Sequence, residues 1–303
     1  MRDREARLWR LSLIVPDWMQ DLLVLFLVEQ GTNGVEVQER EGTCTLIAYV
    51  SHEDRAASLV SSLKGYLEGI GRVNGVTIEW GWDVQEVLGE DWKDAWKANF
   101  RGRRVSPRLA VRPSWDKETG LDGAIVIQID PGQAFGTGLH ETTRMCLEWI
   151  DEMLGGEETT SCSPRPSRGL DVGTGTGILA IAMARLGMPE IWALDTDPVA
   201  VEVAKENVLI NGVGDKVKVL QGSLEALGGE GFSLAVANLT GSELARMAAG
   251  WCQCMEPSGF LIASGLLREE KGMLLDLYED AGFDSVGERQ EGDWCGMLLR
   301  RRG

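Results

Sequence analysis

Residues 170–182 read LDVGTGTGILAIA. An apolar strand ends at Val172, glycines follow at 173, 175 and 177, and a helix begins near Ile178. Glycine supplies positive φ and lets backbone approach a ligand closely. The new helix presents unpaired N–H groups to a ligand's negative end. Further runs lie downstream: IWALD, VKVL, LAVAN and GFLIAS, separated by stretches long enough for helices. That alternation predicts a doubly wound α/β sheet. The last two strand candidates, DSVGERQ and DWCGMLLRR, have no helix between them and are expected to pair antiparallel and close the sheet.

Upstream, RLAVRPSW (108–115) and AIVIQID (124–130) read as strands flanking a polar loop. The polar stretch GEDWKDAWKANF (89–100) reads as a linker helix, with Trp92 and Trp96 packing on one face. Before it the pattern changes. Strands are expected at 7–15, 35–40, 43–50 and 76–84, and helices at 17–30 and 52–70. The order β-α-β-β-α-β is the split pattern of ferredoxin-like α+β domains. The expected organisation is a small domain over 1–88, a linker helix over 89–100 and a catalytic domain over 101–303.

Composition excludes several classes. The run Leu22 to Val28 is far shorter than the roughly 20 apolar residues of a membrane span. The first residues, broken by Arg10 and stopped by Pro16 and Asp17, do not read as a signal peptide. The net charge is −17, from 47 acidic and 30 basic residues, with acidity in both halves. The RGRR at 101–104 is short, so direct nucleic-acid binding is not expected. Such an acidic surface would attract a basic protein partner, and acidity that serves solubility alone is the equal reading. The six cysteines contain no CxxC, and the CxC at Cys252 and Cys254 reads as packing rather than metal binding. His140-Glu141 opens like a zinc helix, but its fifth residue is Arg144 and His52 is the only other histidine. No metal is expected. A reduced cytoplasm and a monomer are the expected setting.

The spacing of the glycines narrows the ligand. A dinucleotide fingerprint requires Gly at 178, which is Ile178, and no Walker-type phosphate loop occurs. The pattern D-x-G-x-G-x-G resembles motif I of class I S-adenosylmethionine-dependent methyltransferases. Asp195, ending the next strand, is suited to hydrogen-bond both ribose hydroxyls of an adenosine, whereas Asp197 reads as a helix start before Pro198. Asn238, after LAVA, offers donors and an acceptor at the carboxyl edge of the sheet. The Asn-Pro-Pro-aromatic form of many nucleobase and amide methyltransferases is absent, which argues against a nucleobase substrate.

The segment IDPGQAFGTGLHETTRMCLEWI (129–150) resembles the signature of ribosomal protein L11 methyltransferases, usually DPGxAFGTGTHPTT. The similarity extends to EDWKDAWKANF, RLAVRPSW, VANLTGSEL, SGLLREE and DWCGM, with order kept. Leu139 and Glu141 replace the commoner Thr and Pro. The resemblance implies a cofactor site of Thr143, Gly173, Gly175, Gly177, Asp195 and Asn238, with Phe135 and Gly136 in a loop over the methionine end. It implies an N-terminal domain that recognises the substrate, and methyl transfer to lysine side chains and an N-terminal amine of the ribosomal protein. A related methyltransferase acting on another protein or a small molecule is the alternative. Asn238 and His140 are the candidate catalytic residues. For His140, lining the site and a structural hydrogen bond to the loop stand as equal readings. His52 is expected at a helix start.

Overall fold

The computed structural model describes residues 8–30, 32, 35–40, 42–50, 53–74, 78, 80–87, 101–117, 120–130, 140–155, 166–229 and 231–303. The chain divides into two compact units, Met1–Asn99 and Phe100–Gly303. The expected linker helix, with Trp92 and Trp96, lies outside the described residues, as do Phe135, Gly136 and His52.

In the first unit β1 (Leu8–Pro16) is followed by a single tight turn and α1 (Gln20–Glu29), then β2 (Val35–Arg40), β3 (Thr43–Val50), α2 (Glu53–Asn74) and β4 (Gly81–Val87). The sheet order is β2-β3-β1-β4, with every pair antiparallel. This is the split β-α-β arrangement expected from the pattern. Leu11, Leu13 and Val15 alternate toward the helices, where they meet Leu23 and Leu27 of α1 and Leu59, Leu63 and Leu67 of α2. Several boundaries move by a few residues. Helix α2 continues to Asn74, and β4 begins at Gly81 rather than at 76. The reason is register: antiparallel pairing with β1 runs from Leu8 opposite Val87 to Ile14 opposite Gly81, and that ladder, not the alternation at 76–80, places the strand.

The second unit begins with a small sheet of β5 (Arg103–Arg104), β6 (Leu109–Arg112) and β7 (Ile125–Gln128), in which β6 and β7 run parallel. Helix α3 (Glu141–Gly155) leads to the main sheet. Its elements are β8 (Arg168–Val172), α4 (Ile178–Arg185), β9 (Glu190–Asp195), α5 (Pro198–Ile210), β10 (Val217–Gln221) and β11 (Phe232–Asn238). They continue through α6 (Gly241–Met247), α7 (Trp251–Cys254), β12 (Met255–Leu267), α8 (Lys271–Asp280), β13 (Phe283–Glu291) and β14 (Trp294–Arg301). The strand order is β10-β9-β8-β11-β12-β14-β13. The first five are parallel, and β14 is inserted antiparallel between β12 and β13.

The centre of the sheet is covered on both faces, so β11 runs apolar without a break from Leu234 to Ala237, whereas β13 at the edge is largely polar and exposed. In β11, Leu234 and Val236 enter the core beneath α3 and α4, while Ala235 and Ala237 enter the opposite core around Trp251 and Tyr278. Seven of the eight α4 residues are buried, and its alanines let the helix lie between sheet and neighbours. Strand order reverses between β8 and β11. Ligands in such sheets bind at the carboxyl ends of the strands on either side of this switch point.

Candidate active site

Strand β8 delivers the glycine-rich turn to the switch point. Gly173, Gly175 and Gly177 all have positive φ, at 72°, 53° and 82°. The Gly173 and Thr174 N–H groups both donate to the Leu194 carbonyl of β9, at 2.9 Å each. A Cβ on Gly173 would lie 2.4 Å from the side chain of Leu239, which follows β11. The turn therefore needs glycine at 173 for two reasons, backbone hand and close approach. Gly177 is the residue before α4 and brings no side chain to cap that helix.

Asp195, half-buried at the end of β9, is bound to the same turn. One carboxylate oxygen accepts from Gly175 N–H at 2.9 Å and the other from Asp197 N–H at 3.0 Å. Each oxygen retains a second lone pair for a further donor. Asp197 caps α5 through Val199 N–H at 2.8 Å, with Pro198 at the first helical position, as its sequence position suggested.

Across the switch point, Asn238 ends β11 and its Nδ2 donates to Thr143 Oγ1 of α3 at 3.1 Å. One of its two N–H donors is thus engaged, so what Asn238 offers an incoming group is its carbonyl oxygen and the second N–H. Thr142 and Thr143 are both buried, and the Thr142 carbonyl accepts from Ser264 Oγ of β12 at 3.2 Å. His140 stands at the entry to α3. Its Nδ1 lies 2.8 Å from Thr142 Oγ1 and accepts from Thr142 N–H at 3.3 Å, and its ring meets Trp294 edge-on at 5.2 Å. The histidine is thus bonded within the first turn of α3, the loop named in one of its two readings lies outside the described residues, and it borders the residues that hold Asn238.

Asp171 was legible only as a letter of the glycine pattern. It is fully buried beneath the turn. Its Oδ2 accepts from Thr174 Oγ1 at 2.7 Å and from Ala180 N–H at 3.1 Å, joining the turn to the first turn of α4. Its Oδ1 has no hydrogen-bond partner among the described residues. Burial pushes its pKa up to about 7, opposed by these two hydrogen bonds and reinforced by the negative charge of Asp195. Burial likewise pushes the Cys146 thiol far above its usual range, so it is an inert packing residue. Cys252 and Cys254 donate to the Ala281 and Trp251 carbonyls, in keeping with a packing role. Among the described residues no group of three side chains has the make-up of a metal site.

The described part of the constellation therefore brings Gly173, Gly175, Gly177, Asp195, Asn238, Thr143 and His140 to one end of one sheet. Comparison with known proteins decides the family. The family model described as ribosomal protein L11 methyltransferase (PrmA) matches residues 21–302. The chain belongs to the ribosomal protein L11 methyltransferase family. Family members carrying that name include one from Geotalea daltonii, 35% identical over 303 residues, spanning 95% of this chain and 96% of the relative. Another, from Citrifermentans bemidjiense, is 37% identical over 304 residues, with 95% and 96% covered. A solved structure of a ribosomal protein L11 methylase from Lactobacillus delbrueckii subsp. bulgaricus matches with a TM-score of 0.59 at 27% identity. It covers 67% of this chain and 100% of that one. The family resemblance seen in the signature segments is borne out, and membership makes the chain a methyltransferase. Among the described residues no helix is long and apolar enough to cross a membrane.

Proposed function

We propose that this chain transfers methyl groups from S-adenosylmethionine to amines of ribosomal protein L11, lysine side chains and the N-terminal amine among them. The observation that carries this reading is the joint geometry of the positive-φ glycine turn and Asp195, whose carboxylate is already tied to that turn. The donor set suits S-adenosylmethionine. Asp195 has lone pairs left for two ribose hydroxyls, and the turn has no side chain to block an adenosine's approach. Thr143 and Asn238 then border the reacting end, with Phe135 and Gly136 assigned to the loop over the methionine portion.

The cofactor supplies an activated methyl group on a sulfonium, so the chain's own residues must position and desolvate an amine. A lysine of ordinary pKa about 10.4 costs roughly 4–5 kcal/mol to deprotonate at neutral pH. Leaving water and facing a positive charge both lower that pKa. The Asn238 carbonyl, with the amide nitrogen held by Thr143, is placed to accept an amine N–H and orient the lone pair. The amine nitrogen takes the methyl in line as the C–S bond breaks, and water receives the proton. His140, engaged with Thr142, orients this wall rather than acting as base.

The first unit, with the linker over 89–100, is assigned to substrate recognition. The chain's charge of −17 matches a basic ribosomal protein, with no nucleic acid, membrane or metal required. The enzyme is read as a cytoplasmic monomer. The test is incubation with labelled S-adenosylmethionine and purified L11, followed by intact mass. Mass gains in whole methyl units are expected. In Asp195→Ala they should fall about a hundredfold at limiting cofactor, the effect of losing charge-assisted hydrogen bonds. Tight cofactor binding without any gain on L11 would move the substrate elsewhere.

A further inference from the structure

Strand β12 carries a hydroxyl in the middle of an apolar sheet. Ser264 is fully buried and stands level with Asn238 in the ladder between β11 and β12. Alanine would fill that position, as it does at Ala263, so the serine hydroxyl needs a partner to offset its removal from water. The row continues toward the edge of the sheet. Ser264 is opposite Gly296 of β14, and Gly296 is opposite Arg289 of β13. Residues level in neighbouring strands share a face of the sheet, and this row lies on the face that α3 covers.

Each member of the row grips α3. Asn238 donates to the Thr143 hydroxyl. Ser264 Oγ donates to the Thr142 carbonyl at 3.2 Å, and so holds the peptide unit that leads into Thr143. Its single proton serves that nearer acceptor, since the Cys295 carbonyl lies at 3.5 Å. Gly296 brings no side chain, and the Trp149 ring takes the space, for a Cβ there would lie 2.7 Å from it. Arg289 covers the other side of the helix contact. Its guanidinium stands 4.5 Å from the Trp149 ring centroid, 2.5 Å from Glu152 and 3.5 Å from Glu148, and it donates to the Met145 carbonyl at 3.4 Å. The helix is thus fixed at Thr142–Thr143 by the inner end of the row and at 145–152 by its outer end.

We infer that Ser264 is a positioning residue for methyl transfer. It sets the Thr142–Thr143 peptide so that Thr143 holds the Asn238 amide in the orientation that receives the amine, and Arg289 fixes the far end of the same helix. The inference rests on the function proposed above and on the role given there to the Asn238 carbonyl. Its consequence is selective. Asp195 and the glycine turn are tied to each other by bonds between β8 and β9 that do not pass through α3. Loss of the Ser264 hydroxyl therefore lowers turnover and leaves the hold on the cofactor's adenosine largely intact.

Ser264→Ala tests this in the full chain, with L11 as acceptor. Turnover at saturating cofactor and L11 should fall about tenfold, the scale of one lost hydrogen bond. S-adenosylmethionine binding, read by calorimetry, should change by less than about threefold. A positioning residue acts only through its target, so the same substitution made in Asn238→Ala should lower the residual turnover by less than about twofold. Tyr278→Phe is the control for lost stability alone. It deletes the hydroxyl that bonds Trp251 and the Leu244 carbonyl in the opposite core, and it should keep wild-type turnover. Arg289→Gln, at the half-buried edge, repeats the comparison without touching the core. Its turnover should fall about threefold, and that loss should also vanish in Asn238→Ala. Unchanged turnover in Ser264→Ala overturns the inference. So does an equal loss in Tyr278→Phe, or an undiminished effect of Ser264→Ala in the Asn238→Ala background. A wild type that binds S-adenosylmethionine without methylating L11 overturns the proposed function, an outcome told apart because it needs no variant.

Discussion

Asp171 ties the folding of the second unit to pH. Its carboxyl is fully buried, has one oxygen without a partner among the described residues, and has a pKa pushed up to about 7 from an ordinary 3.8. Folding therefore takes up a proton between those two values. The stability this contributes is fully present below about pH 4 and is lost as pH rises to about 7, after which it is flat. At 1.36 kcal/mol per unit, the whole window amounts to on the order of 4 kcal/mol, somewhat more than half of it between pH 5 and pH 8. Asp171→Asn removes the titration while keeping an oxygen for Thr174 Oγ1 and Ala180 N–H. The amide's own packing shifts stability by a constant, which cancels when only the pH dependence is compared. Urea unfolding of both proteins from pH 5 to pH 8, followed by amide exchange at Ile181, gives the comparison. The stability of wild type relative to variant should fall by on the order of 2–3 kcal/mol across that range, by the linkage above. A difference independent of pH would refute the argument, because a carboxyl ionised throughout has no proton to lose.

Two further expectations follow from geometry alone. Gly173→Ala places a methyl 2.4 Å from Leu239 at φ 72°, so it should destabilise the second unit by about 1–3 kcal/mol and weaken S-adenosylmethionine binding, read by thermal unfolding and calorimetry. Arg108 binds the buried Asp151 through its side chain and its backbone, and also donates to the Gly155 and Asp151 carbonyls. Arg108→Ala leaves that carboxylate with the backbone N–H of residue 108 but no guanidinium and should cost about 1–3 kcal/mol in urea unfolding, a loss that Asp151→Asn in the same background should partly restore.

The relation between sequence and structure differs from element to element. The strand-turn-helix at 170–182 is decided locally, since apolar residues, positive-φ glycines and a following helix leave one compatible conformation. Asp195 and Asn238 were legible because the chain order of an α/β sheet puts strand ends at one edge. Asp197 was legible as a cap before proline. The lower boundary of β4 was not legible, because its partner strand is seventy residues away in sequence and the ladder sets it. The roles of Asp171 and Ser264 were not legible either. An acid or a serine within a strand carries no local sign of what it touches.

By itself the sequence determined the order of elements, the class of fold, the glycine turn and the family, because hydrophobic period and backbone hand are properties of neighbouring residues. Only the tertiary structure decided the strand order that sets β8 beside β11, the bond from Asn238 to Thr143, and the row from Asn238 through Ser264 to Arg289 that holds α3. Each of these joins residues remote in sequence. Their hydrogen bonds form only once apolar burial on both faces of the sheet has brought the partners together and excluded the water that would otherwise compete for them.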